Sequence, residues 1–363
     1  MVRFKSNDFR SHAEQWAIAV AFAVCSTGAM ADVNDRSNDG STPLMRAAQG
    51  GSREVVEVLL GSNAGVNAAN NAGMTALIFA SQMGYRDIVE RLLAKGADVN
   101  MRGNGGATAL TLAVGGGYKD VVGLLLARGA DPNARQGTQD SPVIIAANGG
   151  MVDILGMLAD KGARLDATTN ADSAALVAAR KGHAEILRLL KARKVDLNAA
   201  NAQEETPLYL ASQQGRHAAA ALLIESRAPV DRATVVGRTA LMAAAEKGYA
   251  NIIDLLIAAS ANLSLRDRQG FDALMLAARA GHHETAIKLV AAGADVRNTA
   301  NDGSTPLMLA ARAGSRELLQ MLLQHGSNFR AKDNSGRDAL IYAAEANHPA
   351  LVELLIKQGA GKE

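Results

Sequence analysis

Apolar and polar positions repeat along the chain with a fixed period, which is the separation between Leu44 and Leu77. The clearest marker is an apolar anchor residue, first seen as Leu44 in the sequence Thr42-Pro43-Leu44. Every step between successive anchors equals this period except the one from Val143 to Ala175, which is shorter by a single position. The anchors are Leu44, Leu77, Leu110, Val143, Ala175, Leu208, Leu241, Leu274, Leu307 and Leu340. Self-similarity at a fixed period of about 20 to 50 residues predicts stacked repeats rather than two or three globular domains.

A short helix is predicted to begin just before each anchor. Two positions before the anchor stands a Thr, Ser or Asp, whose side chain accepts hydrogen bonds from the free N–H groups of a helix start. Pro43 and its equivalents Pro142, Pro207 and Pro306 follow this capping residue, where a missing N–H is tolerated. Seven positions after the anchor a glycine ends the helix. Asn347 alone replaces it, and asparagine also tolerates a left-handed backbone.

A second helix follows each of these glycines. Its apolar residues recur at helical spacing, as in the segments 55–60, 87–93, 185–190 and 317–323. A turn then leads to an extended tip, which in most copies ends in a glycine four positions before the next anchor. These glycines are Gly40, Gly73, Gly106, Gly237, Gly270, Gly303 and Gly336. The motif is therefore a turn, a short helix, a second turn and a longer helix.

This motif resembles the ankyrin repeat, whose T-P-L-H-x-A-A…G-H…V-V…L-L…G-A-D-V-N pattern is visible from about residue 38 to 361. The resemblance implies an all-α fold, an ankyrin-repeat α-solenoid with short β-hairpin or turn fingers. We expect ten repeats in one solenoid over residues 32–361, since a stack of repeats buries a continuous core. The expected repeats are approximately 39–71, 72–104, 105–137, 138–169, 170–202, 203–235, 236–268, 269–301, 302–334 and 335–361.

Three departures from the family pattern carry expectations of their own. The His of T-P-L-H, which in the family ties neighbouring turns by hydrogen bonds, is replaced in every copy, for example by Met45. We therefore expect packing to contribute more of the cohesion between repeats. The shorter step removes one residue from the tip between Asp166 and Ser173, so that finger should be shorter. The last helix, around 351–356, is unusually apolar for a terminal repeat.

The segment before Asp32 differs from the repeats. Basic residues come first, an apolar stretch follows from Trp16 to Cys25, and Ala29-Met30-Ala31 completes the order that marks a secretory signal peptide. A membrane-spanning helix needs about 20 apolar residues, so the stretch is too short to anchor the chain. We expect residues 1–31 to be the signal peptide, with cleavage between Ala31 and Asp32. The alternatives are a buried first helix and, less favoured, a lipid anchor on Cys25.

Cleavage at that point would remove the only cysteine of the chain, so the mature protein could form no disulfide. That composition is compatible with an oxidising compartment. We expect an exported protein, in the bacterial periplasm first and secreted second.

Composition and motifs exclude several classes of function. Lys+Arg 38 against Asp+Glu 36 gives a net charge of +2, and aromatic residues are 3%, so nucleic-acid binding is disfavoured. His282-His283-Glu284 lacks the i, i+4 spacing of a helical zinc site, and no G-x-S-x-G elbow occurs. Gly115-Gly116-Gly117 has no Lys-Ser/Thr after it, as a phosphate loop would. We expect no catalytic residues, cofactor, metal, small-molecule substrate or membrane span.

The resemblance implies that a partner protein lies across the fingertips and first helices. At these positions the early repeats are small, polar and almost uncharged, whereas the later ones carry an excess of basic residues. Arginine and an exposed aromatic residue are typical of binding hot spots, and arginine grips carboxylates with two hydrogen bonds. We predict that an acidic segment of a partner binds there, an ordinary solvated face being the alternative. The candidate residues are Arg238, Lys247, Arg268, Phe271, Arg279, Arg312 and Arg337.

The predicted function is a non-enzymatic protein–protein interaction scaffold. Two other roles are open at this point: a protective, immunity-type binder of a toxin or envelope enzyme, and a secreted effector directed at a host. The repeat pattern does not name the partner, because folds of this kind share an architecture and not a ligand.

Overall fold

The computed structural model describes residues 32–135, 141–166, 168–169 and 172–359. It divides into two compact units, unit 1 (Met1–Ala174) and unit 2 (Ala175–Glu363). The division falls beside the shorter step of the repeat pattern. The predicted signal peptide, including Ala31 on the near side of the cleavage site, lies outside the described residues, as do residues 360–363.

Unit 1 is built from pairs of helices. Its first helices are α1 (Pro43–Gly50), α3 (Ala76–Met83), α5 (Ala109–Gly115) and α7 (Pro142–Gly149). Its second helices are α2 (Arg53–Gly61), α4 (Arg86–Ala94), α6 (Lys119–Ala127) and α8 (Val152–Asp160). A 3₁₀ turn spans Asn104–Gly106. The strands β1 (Thr168–Thr169) and β2 (Asp172–Ser173) pair antiparallel, with Thr168 opposite Ser173, at the tip where the sequence predicted a shorter finger.

Unit 2 continues the same alternation. Its first helices are α9 (Ala174–Lys181), α11 (Pro207–Gln213), α13 (Ala240–Lys247), α15 (Ala273–Ala280), α17 (Pro306–Ala313) and α19 (Ala339–Glu345). Its second helices are α10 (Ala184–Ala192), α12 (His217–Glu225), α14 (Ala250–Ala258), α16 (His283–Ala291), α18 (Arg316–Gln324) and α20 (Pro349–Lys357). None of the helices in the described ranges is long and apolar enough to span a membrane.

The helix ends follow the predicted capping chemistry. The hydroxyl of Thr75 accepts a hydrogen bond from the N–H of Ile78 at 3.2 Å, and a carboxylate oxygen of Asp272 accepts one from Met275 N–H at 2.8 Å. At the other end, Gly84 adopts the left-handed conformation with φ +76°, and Asn347 does so with φ +57°. The prediction that Asn347 takes the place of glycine is therefore confirmed.

A ring from the next repeat lies against several of these helix-ending glycines. A Cβ added to Gly84 would lie 2.5 Å from Cδ1 of Tyr118, and one added to Gly248 would lie 2.6 Å from Nδ1 of His282. Glycine is required at such places both by its positive φ and by the close ring. His282 therefore packs against the preceding repeat.

Asparagine side chains tie neighbouring fingertips together. Nδ2 of Asn104 donates to the carbonyl oxygen of Asn71 at 3.2 Å, and Nδ2 of Asn334 donates to that of Asn301 at 3.0 Å. On the turns after the second helices, Asn67 bonds the backbone of Gly96 and Asp98. These hydrogen bonds join one repeat to the next, in addition to the packing that the sequence led us to expect.

Apolar packing between successive helices forms the core of each unit. The residue that replaces the motif's His is buried in most copies, with Met45 and Met242 each 1% exposed, whereas Ile341 in α19 is 38% exposed. In the apolar last helix, Leu355 is fully buried and Ile356 is 51% exposed. Helices this short are not stable alone, so stacking of their apolar faces stabilises them.

Candidate interaction surfaces

The predicted partner-binding residues all lie in unit 2, on two kinds of element. Arg238, Arg268, Phe271 and Arg337 belong to the fingertips that precede α13, α15 and α19. The others stand at or near the C-terminal ends of first helices, where the helix dipole favours a positive charge. These are Lys247 in α13, Arg279 in α15 and Arg312 in α17.

Phe271 is buried, so the expectation of an exposed aromatic hot spot is wrong. The residue is only 7% exposed, and the guanidinium of Arg279 lies over its ring at 4.7 Å from the ring centre. Its backbone N–H also donates to the carboxylate of Asp267 at 2.9 Å, which fixes the fingertip turn. Phe271 therefore supports the fold beneath the surface, and a partner would meet Arg279 instead.

Two of the predicted arginines are neutralised by neighbouring carboxylates. Arg238 lies 2.9 Å from Glu246 and 2.8 Å from Asp267, and its side chain is only 15% exposed. Arg279 lies 2.9 Å from the other oxygen of Glu246. This cluster of two arginines and two acidic residues carries no net charge, so it contributes little to attraction of an acidic partner.

Arg337 belongs to a second closed cluster. Its guanidinium lies 2.8 Å from Asp333 and over the ring of Tyr342, whose hydroxyl donates to Asp333 at 2.8 Å. Burial opposes the charge of Asp333, yet hydrogen bonds from Arg337 and Tyr342 outweigh it and lower the pKa of that carboxyl to about 2. Burial and the bond to Asp333 raise the pKa of Tyr342 to about 12. The cluster stabilises the last fingertip.

Three predicted residues remain available to a partner. Arg268, Arg312 and Lys247 are exposed, and their side chains form no ion pair with any residue in the described ranges. The backbone N–H of Arg268 donates to the carbonyl of Val236 at 3.1 Å, which places it next to the preceding fingertip. The basic surface is therefore smaller than the sequence predicted.

An exposed pair of valines was missed by the sequence reasoning. Val235 and Val236 are 41% and 50% exposed, in a turn closed by a hydrogen bond of 2.8 Å from Gly237 N–H to the carbonyl of Thr234. The signal was present, because the first tip carries the polar pair Asn38-Asp39 at the same positions. We call Val235 and Val236 the valine tip.

Comparison with known proteins gives the family. The family model described as ankyrin repeats in three copies matches residues 18–103, 73–136, 143–234, 227–300 and 274–363. The chain therefore belongs to the ankyrin repeat family, and its fold is the helical ankyrin-repeat solenoid fold. The fold of this family is typical of non-enzymatic binding proteins, and its repeats generally mediate protein–protein interactions.

Among solved structures, 528 chains match. The crystal structure of the human ASB11 ankyrin repeat domain is similar with 28% sequence identity and a TM-score of 0.57. The similarity covers 61% of this chain and 99% of that one. No curated protein matches.

Proposed function

We propose that the protein is a non-enzymatic scaffold that binds a partner protein through unit 2. The observation that carries the proposal is the valine tip standing beside the unpaired Arg268, with Arg312 and Lys247 on first helices of the same unit. An exposed apolar pair beside one unpaired cation, with two more unpaired cations in the same unit, fits a partner segment that combines acidic and apolar side chains.

Rigidity of the fingertip favours this role. The tip turn is held by the bond from Gly237 to Thr234, and by a bond of 2.9 Å from the N–H of Thr234 to the carbonyl of Arg238. A surface that is ordered before binding loses little conformational freedom when a partner arrives, so more of the contact energy goes into affinity.

We also propose export, to the periplasm of a bacterium first and to the medium second, on the order of charged, apolar and small residues in 1–31. N-terminal sequencing of the protein purified from cell fractions checks this. A mature chain that begins at Asp32 in the periplasmic fraction supports the proposal, and an intact N-terminus in the cytoplasm contradicts it. Release into the medium favours the host-directed effector. A toxin or envelope enzyme as the bound protein identifies the protective role.

Charge reversal tests the binding surface. The variant Arg268→Glu/Arg312→Glu and the wild type serve as baits in a pull-down from periplasmic extract. Lys191→Glu/Lys357→Glu is the matched control, because it makes the same change in net charge at exposed sites on second helices. Arg279 is left intact because its reversal would also break the pair with Glu246.

A protein retained by the wild type and the control, and lost by the double variant, supports the surface. Equal retention by all three baits contradicts it. The melting temperatures of the three proteins, measured by circular dichroism, must agree, since exposed unpaired charges contribute little to stability.

A further inference from the structure

Unit 1 carries an apolar stripe across its first helices. Phe79 in α3, Leu112 in α5 and Ile145 in α7 each stand two positions after an anchor, and each side chain is only half-buried. Helix α3 packs on α5, and α5 packs on α7. The three side chains therefore form a row at the same position of adjacent helices.

At Leu112 the row is bordered by small residues. Leu276 in α15 has the same position in unit 2 and is fully buried, where Phe271 and Arg279 stand before and after it. Around Leu112, Ala107 replaces the phenylalanine and Gly115 replaces the arginine. A Cβ added to Gly115 would meet no atom within 4 Å, so packing does not require glycine there. A glycine inside a helix is destabilising relative to alanine, and the fold gains nothing visible in return.

Two methionines border the row. Met83 is 44% exposed at the C-terminal end of α3, and Met74 is half-buried on the preceding fingertip. Methionine side chains adapt to the shape of a bound apolar surface. We call the surface formed by these five side chains the unit 1 groove: Met74, Phe79, Met83, Leu112 and Ile145.

Among the described residues, the positions of the unit 1 groove around α3 and α5 are uncharged. The fingertip and last-turn positions around α3 and α5 hold Asn71, Ala72, Gln82, Asn104, Gly105, Ala107, Gly115 and Gly116. On the neighbouring α1, Arg46 is paired with Asp39 at 2.6 Å. A charged ligand would find no partner among these described residues and would lose hydration, so charge matching favours an uncharged occupant.

The groove also offers few hydrogen bonds to a ligand backbone. The amide Nδ2 groups of Asn71 and Asn104 already donate to the carbonyls of Asn38 and Asn71, at 3.3 and 3.2 Å. An extended segment would leave its own N–H and C=O groups unsatisfied, whereas an α-helix satisfies them internally. Helix residues seven apart are separated by about 10.5 Å, close to the distance of about 8–10 Å between packed helices. A helix that crosses the row can thus place one side chain over each of Phe79, Leu112 and Ile145.

We propose that the unit 1 groove binds an uncharged, apolar α-helical segment of a partner protein. The proposal rests on the scaffold function and adds a second surface in the other unit, which lacks the unpaired cations of the unit 2 surface. One partner could occupy both surfaces only by presenting an acidic segment and an apolar helix, and each surface is tested separately.

The test selects ligands without assuming their sequence. A displayed library of peptides of about 20 residues, long enough for a helix of about 30 Å, is enriched on the full chain. Each enriched peptide is titrated against Gly115→Arg, which places a charge in the groove, and against Gly61→Arg. Gly61 is the matched control, because it also ends a helix, α2, with no atom within 4 Å of an added Cβ.

The expected ligands have uncharged apolar residues seven apart, become helical when bound, and lose about tenfold or more in affinity against Gly115→Arg, which adds an unpaired charge. Gly61→Arg and Gly115→Ala leave the affinity unchanged, and circular dichroism melting confirms that all variants fold. Acidic or extended ligands, insensitivity to Gly115→Arg, or no enrichment overturns the proposal. Ligands whose binding is lost only in the variant Arg268→Glu/Arg312→Glu would overturn the groove proposal and support the unit 2 surface.

Discussion

Two buried serines offer a sharp test of how these repeats are stabilised. Ser81 in α3 and Ser212 in α11 stand four positions after an anchor, where most copies have alanine. Both are 0% exposed, and neither hydroxyl has a hydrogen-bond partner in the described ranges. Replacement by alanine removes the unsatisfied group and keeps the backbone, so we expect Ser81→Ala and Ser212→Ala to stabilise the protein.

The expected gain follows from two contributions. A buried hydroxyl without a partner costs about 1–3 kcal/mol, and alanine exceeds serine in helix propensity by about 0.5 kcal/mol. Loss of the oxygen's packing contacts offsets part of this, which leaves about 1 kcal/mol at each site. The sites lie in different compact units, so their effects should add to about 2 kcal/mol in the double variant.

Urea unfolding followed by far-ultraviolet circular dichroism measures the total, and amide hydrogen exchange in α3 and α11 measures each site. Both are needed because repeat proteins depart from two-state behaviour when their cooperativity breaks down. Ala48→Ser is the reverse control, since Ala48 has the same position in α1 and is 0% exposed. It should destabilise by a similar amount.

The reasoning is refuted if the double variant unfolds at the same urea concentration as the wild type and Ala48→Ser leaves the stability unchanged. That pattern would mean that serine hydroxyls at this position bond the carbonyl one turn earlier, as serine in helices can.

Two further predictions concern single positions. Ser315 precedes α18 at a position where several other copies have Tyr or His, and Gly281 has no ring against it. Ser315→Tyr should therefore stabilise the protein by about 1 kcal/mol in urea unfolding, and a loss of stability would show that the site has no room for a ring. The lowered pKa of Asp333 means that its contribution is complete above the ordinary value of 3.8 and is lost as pH falls through about 2. Asp333→Asn should therefore flatten the dependence of the urea midpoint on pH in this window, and an unchanged slope would contradict the assignment.

The fold was predictable because its signals are local. A capping residue such as Thr75, an anchor such as Leu77 and a glycine such as Gly84 lie within ten positions of one another and define one helix. Recurrence of these signals at a fixed period then predicts stacking. Pairing of asparagine amides between fingertips was missed, because it depends on the approach of turns from successive repeats.

The candidate surfaces were less predictable because exposure depends on neighbours in space. Phe271 and the basic residues share a face in the sequence register, yet Arg279 covers the ring and Glu246 takes up the charge. Leu112 and Leu276 are the same residue at the same position, and one is half-buried while the other is fully buried. The side chains five positions before and three after each leucine differ in size, but whether they cover the leucine is shown only by the packed structure.

The pattern of helix contacts has a mechanical consequence. The extensive contacts join helices that are next to each other or next but one along the chain. A pulling force on one end of a unit therefore loads one interface at a time, with its asparagine bonds, and each repeat can detach while the rest stays folded. Such a unit should lengthen under tension in small steps and recoil when released, as an extensible tether does.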